Sequence, residues 1–219
     1  MALNINGTTG ISGVDGSVSA PAVTGTDSNT GITFPSADTI KFSTGGVERM
    51  SITNSGISGI TSGITMHDVW LMTSQLSVPT GQSDVSSNWS RGNAINGVIG
   101  SAMTQSSGVF TFPSTGIYLI TINGNFIESG SGGHNYVGFY TQYTTNNSSY
   151  STGAFGATNI AAFSGSTYGF VTFNYTFDVT NVSTHKIKFA TIASSSTMVL
   201  SGASSYNDCW AEFTRLGDT

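Results

Sequence analysis

Apolar and polar positions along the chain alternate with a period of two, the period that sends successive side chains to opposite faces of a strand. The pattern comes in two grades. Between Ser28 and Gly56 ("SNTGITFPSADTIKFSTGGVERMSITNSG") apolar residues pair two apart: Ile32 with Phe34, Ile40 with Phe42, and Met50 with Ile52. Turn signals such as "PSAD", "TGG" and "NSG" separate the pairs. The pairs predict short strands, each with one apolar face. A string of such strands cannot offset its conformational entropy by burying its own surface.

Beyond residue 64 the strands lengthen. Segments such as "MHDVWLMTSQL", "GVFTFP", "GIYLITINGNFI", "HNYVGFYTQYTT", "YGFVTFNYTFDV", "HKIKFATIA" and "CWAEFTRL" predict roughly eight to ten strands separated by turn residues, the spacing of a sandwich or jelly roll rather than of βαβ units. In "GIYLITINGNFI" one face carries Ile117, Leu119 and Thr121, the other Tyr118, Ile120 and Ile122. Both are largely apolar. A sheet of a sandwich normally shows one side to water, so a second cover points to a neighbouring subunit. In "YGFVTFNYTFDV" the face of Val171, Phe173, Tyr175 and Phe177 is expected in the core.

Three segments follow from this break: residues 1–27, 28–64 and 65–219. Glycines at 7, 10, 13 and 16 give the first segment a collagen-like period. Four glycines with no proline between them are too few for that triple helix, so an extended arm is expected.

Composition sharpens the fold class. Of 219 residues 28 are Gly and only 8% are charged, against a usual ~25%. Helix formers are scarce and β formers plentiful, which predicts an all-β protein. A formal charge of −5 with six Lys and Arg offers no electrostatic footprint for nucleic acid or an anionic membrane. No apolar run approaches the ~20 residues of a bilayer span, so no membrane insertion is expected. "MALNINGTTG" lacks the basic start and apolar centre of a signal peptide, and assembly in a cytoplasm is expected. Cys209 is alone; it reads as a small hydrophobe of the last strand.

Candidate chemistry is sparse. His67, His134 and His185 fall on different expected strands or loops. Only the adjacent His67 and Asp68 combine a histidine with a carboxylate, and neighbouring strand residues face opposite ways. No metal site and no cofactor is expected. The 11 carboxylates occur singly, and neither a nucleophile elbow nor a phosphate-binding glycine loop is present. The chain is expected not to be an enzyme. In "ESGSGGHNYVGFYTQYTTNNSSYSTGAF" the tyrosines sit between amide and hydroxyl residues, a mixture that suits stacking on sugars. Tyr136, Tyr140 and Tyr143 are read first as packing within or between subunits; the long polar loop makes Tyr143, Asn146, Asn147 and Tyr150 the candidate receptor or glycan contacts.

The stretch "SGVFTFPSTGIYLITINGNF" resembles the signature of complement globular-head and tumour necrosis factor jelly rolls at Phe110, Phe112, Pro113, Gly116 and Tyr118, and "SSYNDCWAEFTRLG" is similar to their final loop and strand. The resemblance covers roughly residues 65–219. It implies a ten-strand jelly roll that forms a homotrimer through apolar sheet faces.

The preceding third, "GVDGSVSAPAVTGTDSNTGITFPSADTIKFSTGGVERMSITNSG", resembles a segment of tail fibres and other structural proteins of tailed bacteriophages, marine cyanophages in particular. The matching elements are Asn29 to Ile32, Phe34 to Ser36, Ala37 to Ile40 and Gly45 to Met50. This implies a virion protein assembled in the host bacterial cytoplasm, with residues 1–27 held by another particle protein (capsid, portal or tail).

A trimer would solve the burial problem of residues 28–64. Packing Ile32, Phe34, Ile40, Phe42, Met50 and Ile52 against their equivalents on two neighbours gives on the order of 10 kcal/mol per chain before entropy is subtracted. Tyr118, Ile120 and Ile122 are the expected trimer contacts of the head. Glu48 and Arg49 point to opposite faces of a strand, so an ion pair there joins different strands or chains, or both charges are simply solvated. The expected function is a structural appendage of a tailed phage, a fibre or spike type of protein, contributing to host adhesion through a surface glycan or protein. A capsid decoration or tail-joint adaptor is the alternative, and a glycan-binding or depolymerising tail protein a third.

Overall fold

The computed structural model describes residues 4–6, 10–12, 15–60, 63–91, 96–130, 132–195 and 198–219. The chain divides into two compact units, Met1–Gly63 and Ile64–Thr219. Among the described residues every regular element is a strand.

The first unit begins with two hairpins, β1 (Asn4–Asn6) with β2 (Gly10–Ser12) and β3 (Gly16–Ser17) with β4 (Ala20–Pro21). A five-stranded meander follows: β5 (Val23–Thr24), β6 (Gly31–Thr33), β7 (Ile40–Thr44), β8 (Val47–Thr53) and β9 (Gly56–Ser58). Thr44 pairs with Val47, leaving Gly45 and Gly46 as a two-residue loop with φ of 60° and 73°. Positive φ at both positions is the turn whose twist suits a hairpin, and glycine reaches it without strain. The Thr24 hydroxyl lies within hydrogen-bond distance of the carbonyls of Asp27 (2.6 Å) and Thr30 (2.8 Å), to which its single O–H can donate in turn, closing the turn from β5 to β6. Residues 15–27 are therefore not an extended arm: β5 pairs with β6 across the expected boundary at 27/28.

The second unit has thirteen strands among its described residues: β10 (His67–Met72), β11 (Leu76–Val78), β12 (Gly81–Asp84), β13 (Trp89–Ser90), β14 (Thr104–Ser106), β15 (Val109–Thr111), β16 (Gly116–Glu128), β17 (His134–Thr144), β18 (Ser151–Ile160), β19 (Thr167–Val179), β20 (Lys186–Ala193), β21 (Met198–Leu200) and β22 (Trp210–Gly217). Two antiparallel sheets form. The front sheet runs β11-β21-β16-β22-β10-β13 with β19 on the other edge of β16; the back sheet runs β14-β15-β20-β17-β18 with β12 on β20. Taking β15 with the unit's seven strands of six residues or more, the chain crosses between sheets in the order front, back, front, back, back, front, back, front, which is a jelly roll.

Phe110, Phe112, Tyr118, Phe126, Phe139, Phe189 and Phe213 fill the space between the sheets. Their rings meet edge-on or tilted, as between Trp70 and Phe110 (5.5 Å, 84°) and between Phe112 and Tyr118 (4.6 Å, 54°), geometries aromatic pairs favour. Beneath one edge, the fully buried Asp68 accepts from Arg91, the Trp70 indole N–H and the Met103 backbone N–H. Arg91 also stacks 4.3 Å from the Trp70 ring centre. Both oxygens of the buried carboxylate are thereby hydrogen-bonded.

Tyr118, Ile120 and Ile122, expected between subunits, belong instead to the chain's own core, where all are buried. The reason is parity. Pairing with β22 sets Ile120 opposite Phe213 and Ile122 opposite Ala211, all facing the back sheet. A neighbour can reach only the alternate positions, Ile117, Leu119 and Thr121, which are half-buried.

Candidate functional site

Two surfaces stand out, one on each unit. In the first unit, register aligns two apolar rungs: Val23, Ile32, Phe42 and Met50, then Ile40, Ile52 and Ile57. These side chains share one face; Ile32, Phe42 and Met50 are half-buried on it and the rest are open to solvent. Val23 is 51% and Ile57 65% exposed, with Phe34, Ile40 and Ile52 also exposed. The opposite face carries Thr33, Ser43 and Ser51, which are buried. The β3–β4 hairpin lies against β6, with Pro21 beside Gly31. The sheet is thus inverted, covered on its polar face and open on its apolar one.

Phe34, Asp38, Thr39, Ile40, Ile52 and Asn54 outline a shallow depression on the open side. The Asn54 amide donates to Asp38 across its rim (3.0 Å). Glu48 pairs with Lys41 on the adjacent strand (2.7 Å), while Arg49 donates to the Thr44 hydroxyl (2.7 Å). Glu48 is held below the usual carboxylate range, chiefly by its hydrogen bond from Lys41. Asp27 is likewise lowered, by the Thr30 hydroxyl and then the Asn29 backbone N–H.

In the second unit the expected contact residues separate. Tyr143 points inward, packing on Tyr175 (6.0 Å) and Phe177 (5.4 Å), and is no part of an exposed site. Asn146 and Asn147 are exposed at the tip between β17 and β18, in a loop held by its own bonds. The Asn146 side-chain oxygen accepts from the backbone N–H of Ser148 (2.9 Å) and Ser149 (3.0 Å). Asn147, at φ 54°, donates its N–H to the Thr184 carbonyl (2.9 Å). Tyr150 lies beneath Lys188, whose ammonium sits 4.5 Å from the ring centre and pairs with Asp84 at 2.6 Å. Burial, then the Asp84 charge, pushes the Tyr150 phenol up.

Beside this anchored loop, on the outer face of the back sheet, Tyr140 stacks on Phe155 (4.5 Å, 25° between planes). Tyr136 follows on β17 from the same sequence parity, with Gly138 between. Phe155 is 49% and Tyr136 42% exposed. Phe155 was missing from the sequence-derived set, and parity was the available signal. Even-numbered Tyr136 and Tyr140 share a face that odd-numbered Tyr143 cannot.

The histidines lie apart: His67 on β10 contacts Thr214 (3.0 Å) and Glu212 (3.5 Å), His134 bonds Glu128 in the interior, and His185 stacks on Phe177. Among the described residues no three metal-ligating side chains gather. Burial, followed by the charge of Asp208, pushes the Cys209 thiol far up.

No protein-family model matches this chain, and no curated protein does. Among solved structures, murine APRIL at pH 8.5 is similar over 68% of this chain and 99% of its own, with 14% identity and a TM-score of 0.47. The Eiger TNF of S. frugiperda is similar over 70% of this chain and 95% of its own, with 11% identity and a TM-score of 0.47.

Proposed function

We propose that the chain is the subunit of a homotrimeric virion appendage of a tailed phage, with an attachment and trimerisation unit at residues 1–63 and an adhesive jelly roll head. One observation supports the trimer above the rest: a sheet that buries Thr33, Ser43 and Ser51 while exposing Val23, Ile40, Ile52 and Ile57. Burying small polar groups returns little free energy, and the apolar face holds most of what the unit can gain. A neighbour's equivalent face is the cover that matches it in shape and polarity. The phage assignment is supported by the ordered match of Asn29–Ile32, Phe34–Ser36, Ala37–Ile40 and Gly45–Met50 to tail-fibre segments.

Light scattering on the full chain tests the assembly. Three copies of 22.7 kDa give a mass of about 68 kDa by multiplication, the form a closed cyclic oligomer takes. A species at the single-chain mass in dilute buffer overturns the trimer. The particle role is tested by deleting residues 1–14, which leaves β3 to β9 in place. The truncated protein keeps its mass but is lost from purified particles, and retention on particles would overturn attachment through this segment.

A further inference from the structure

We infer that the outer face of the back sheet is a binding site for a neutral glycan, with Tyr136, Tyr140 and Phe155 as its stacking platform. The inference rests on the adhesive reading of the head given above and relocates the contact surface from the β17–β18 loop tip to the sheet beside it.

Three features of the face select the occupant. First, the aromatic cluster is left open to solvent. Tyr140 and Phe155 stack face to face, yet Phe155 remains half exposed and Tyr136 nearly so, with Gly138 leaving no side chain between the tyrosines. A pyranose presents one apolar face of C–H groups that rests on such a surface, and its equatorial hydroxyls project to the rim.

Second, the rim offers uncharged donors and acceptors. Gln82 is exposed on β12, and Asn159 is exposed on β18 on the Phe155 side of the sheet. Gln142, two residues from Tyr140 on the same side, is more than nine-tenths buried, and its carbonyl oxygen has no hydrogen-bond partner. A buried amide left unanswered is rare, and a rotation of that amide would turn the acceptor toward a ligand hydroxyl at the platform edge.

Third, the cations of the face are already engaged. Lys188 is paired with Asp84 and rests over Tyr150, and Lys186, on the same side of β20, is buried and donates to the Val182 carbonyl (2.7 Å), so neither ammonium is free to hold a phosphate or carboxylate. That charge balance disfavours nucleic acid, anionic lipid and acidic polysaccharide, and it matches a neutral hexose or N-acetylhexosamine chain.

Saturation-transfer NMR on the full-length protein tests this, with a panel of neutral hexose and N-acetylhexosamine oligosaccharides as probes. At least one probe should receive saturation on the C–H protons of one ring face. Phe155→Leu, which keeps apolar bulk and removes the ring, should reduce the transfer at least fivefold. Tyr206→Ala, removing an exposed aromatic elsewhere, should leave it unchanged. Phe155→Tyr should restore it, separating loss of stacking from loss of fold. No transfer from any probe, or equal loss in Phe155→Leu and Tyr206→Ala, overturns the glycan site. A fall in oligomer mass for Phe155→Leu also overturns it, by making the face a contact between copies. None of these outcomes depends on particle attachment, which the deletion of residues 1–14 reads separately.

Discussion

Asp68 shows how much of the head hangs on single polar groups. Its carboxylate is fully buried and accepts from a guanidinium, an indole and a backbone N–H. Removing one partner of such a cluster leaves the others desolvated and unanswered, so Asp68→Ala should cost about 3–5 kcal/mol, read as a lowered urea midpoint. Asp68 was visible in the sequence only as a neighbour of His67, since nothing local announces Arg91 or Met103 as its partners. Cys209 makes the opposite case. Its neighbours suggested an inert thiol, and burial raises its folded pKa well above the ordinary thiol value of 9.0. Because the folded value lies above the unfolded one, this group's contribution is complete below the unfolded pKa and is lost as pH rises toward the folded one. Urea unfolding should therefore show a stability loss above pH 9 that Cys209→Ala lacks, and a thiol reagent should label Cys209 only after denaturant is added.

At the scale of elements, the sequence was most legible where a local rule had a single outcome. "TGG" between two apolar pairs marked a turn, and the structure makes it a two-residue hairpin loop with positive φ at both glycines. Gly45→Val should destabilise that hairpin by roughly 1–2 kcal/mol, because a β-branched residue resists the left-handed region; the change would appear in the melting of residues 15–60. Strand β16 was legible in its alternation but not in its surroundings. Both faces look apolar in sequence, and only pairing with β22 reveals that Tyr118, Ile120 and Ile122 face the back sheet. The tyrosines divide at the same level. Read first as packing, Tyr143 does pack inward against Tyr175 and so leaves the loop set of Asn146, Asn147 and Tyr150, whereas Tyr136 and Tyr140, given the same reading, lie by strand parity on the outer face with Phe155.

Across the whole molecule, the two units have unlike sources of stability. The jelly roll encloses a continuous aromatic core within one chain. None of that cluster comes from residues 15–60, whose exposed apolar side chains include Val23, Ile40, Ile52 and Ile57. If association supplies the missing cover, folding of the first unit is linked to protein concentration by mass action. Calorimetry on the full chain should then show a lower transition whose midpoint climbs with concentration and a separate transition of the head. Ile52→Asp places a carboxylate in the middle of the proposed contact, and it should abolish the lower transition while leaving the head's own core intact. A lower transition that ignores concentration would mean that residues 15–60 fold without a neighbour, and the open apolar face would then need a partner other than a second copy of this chain.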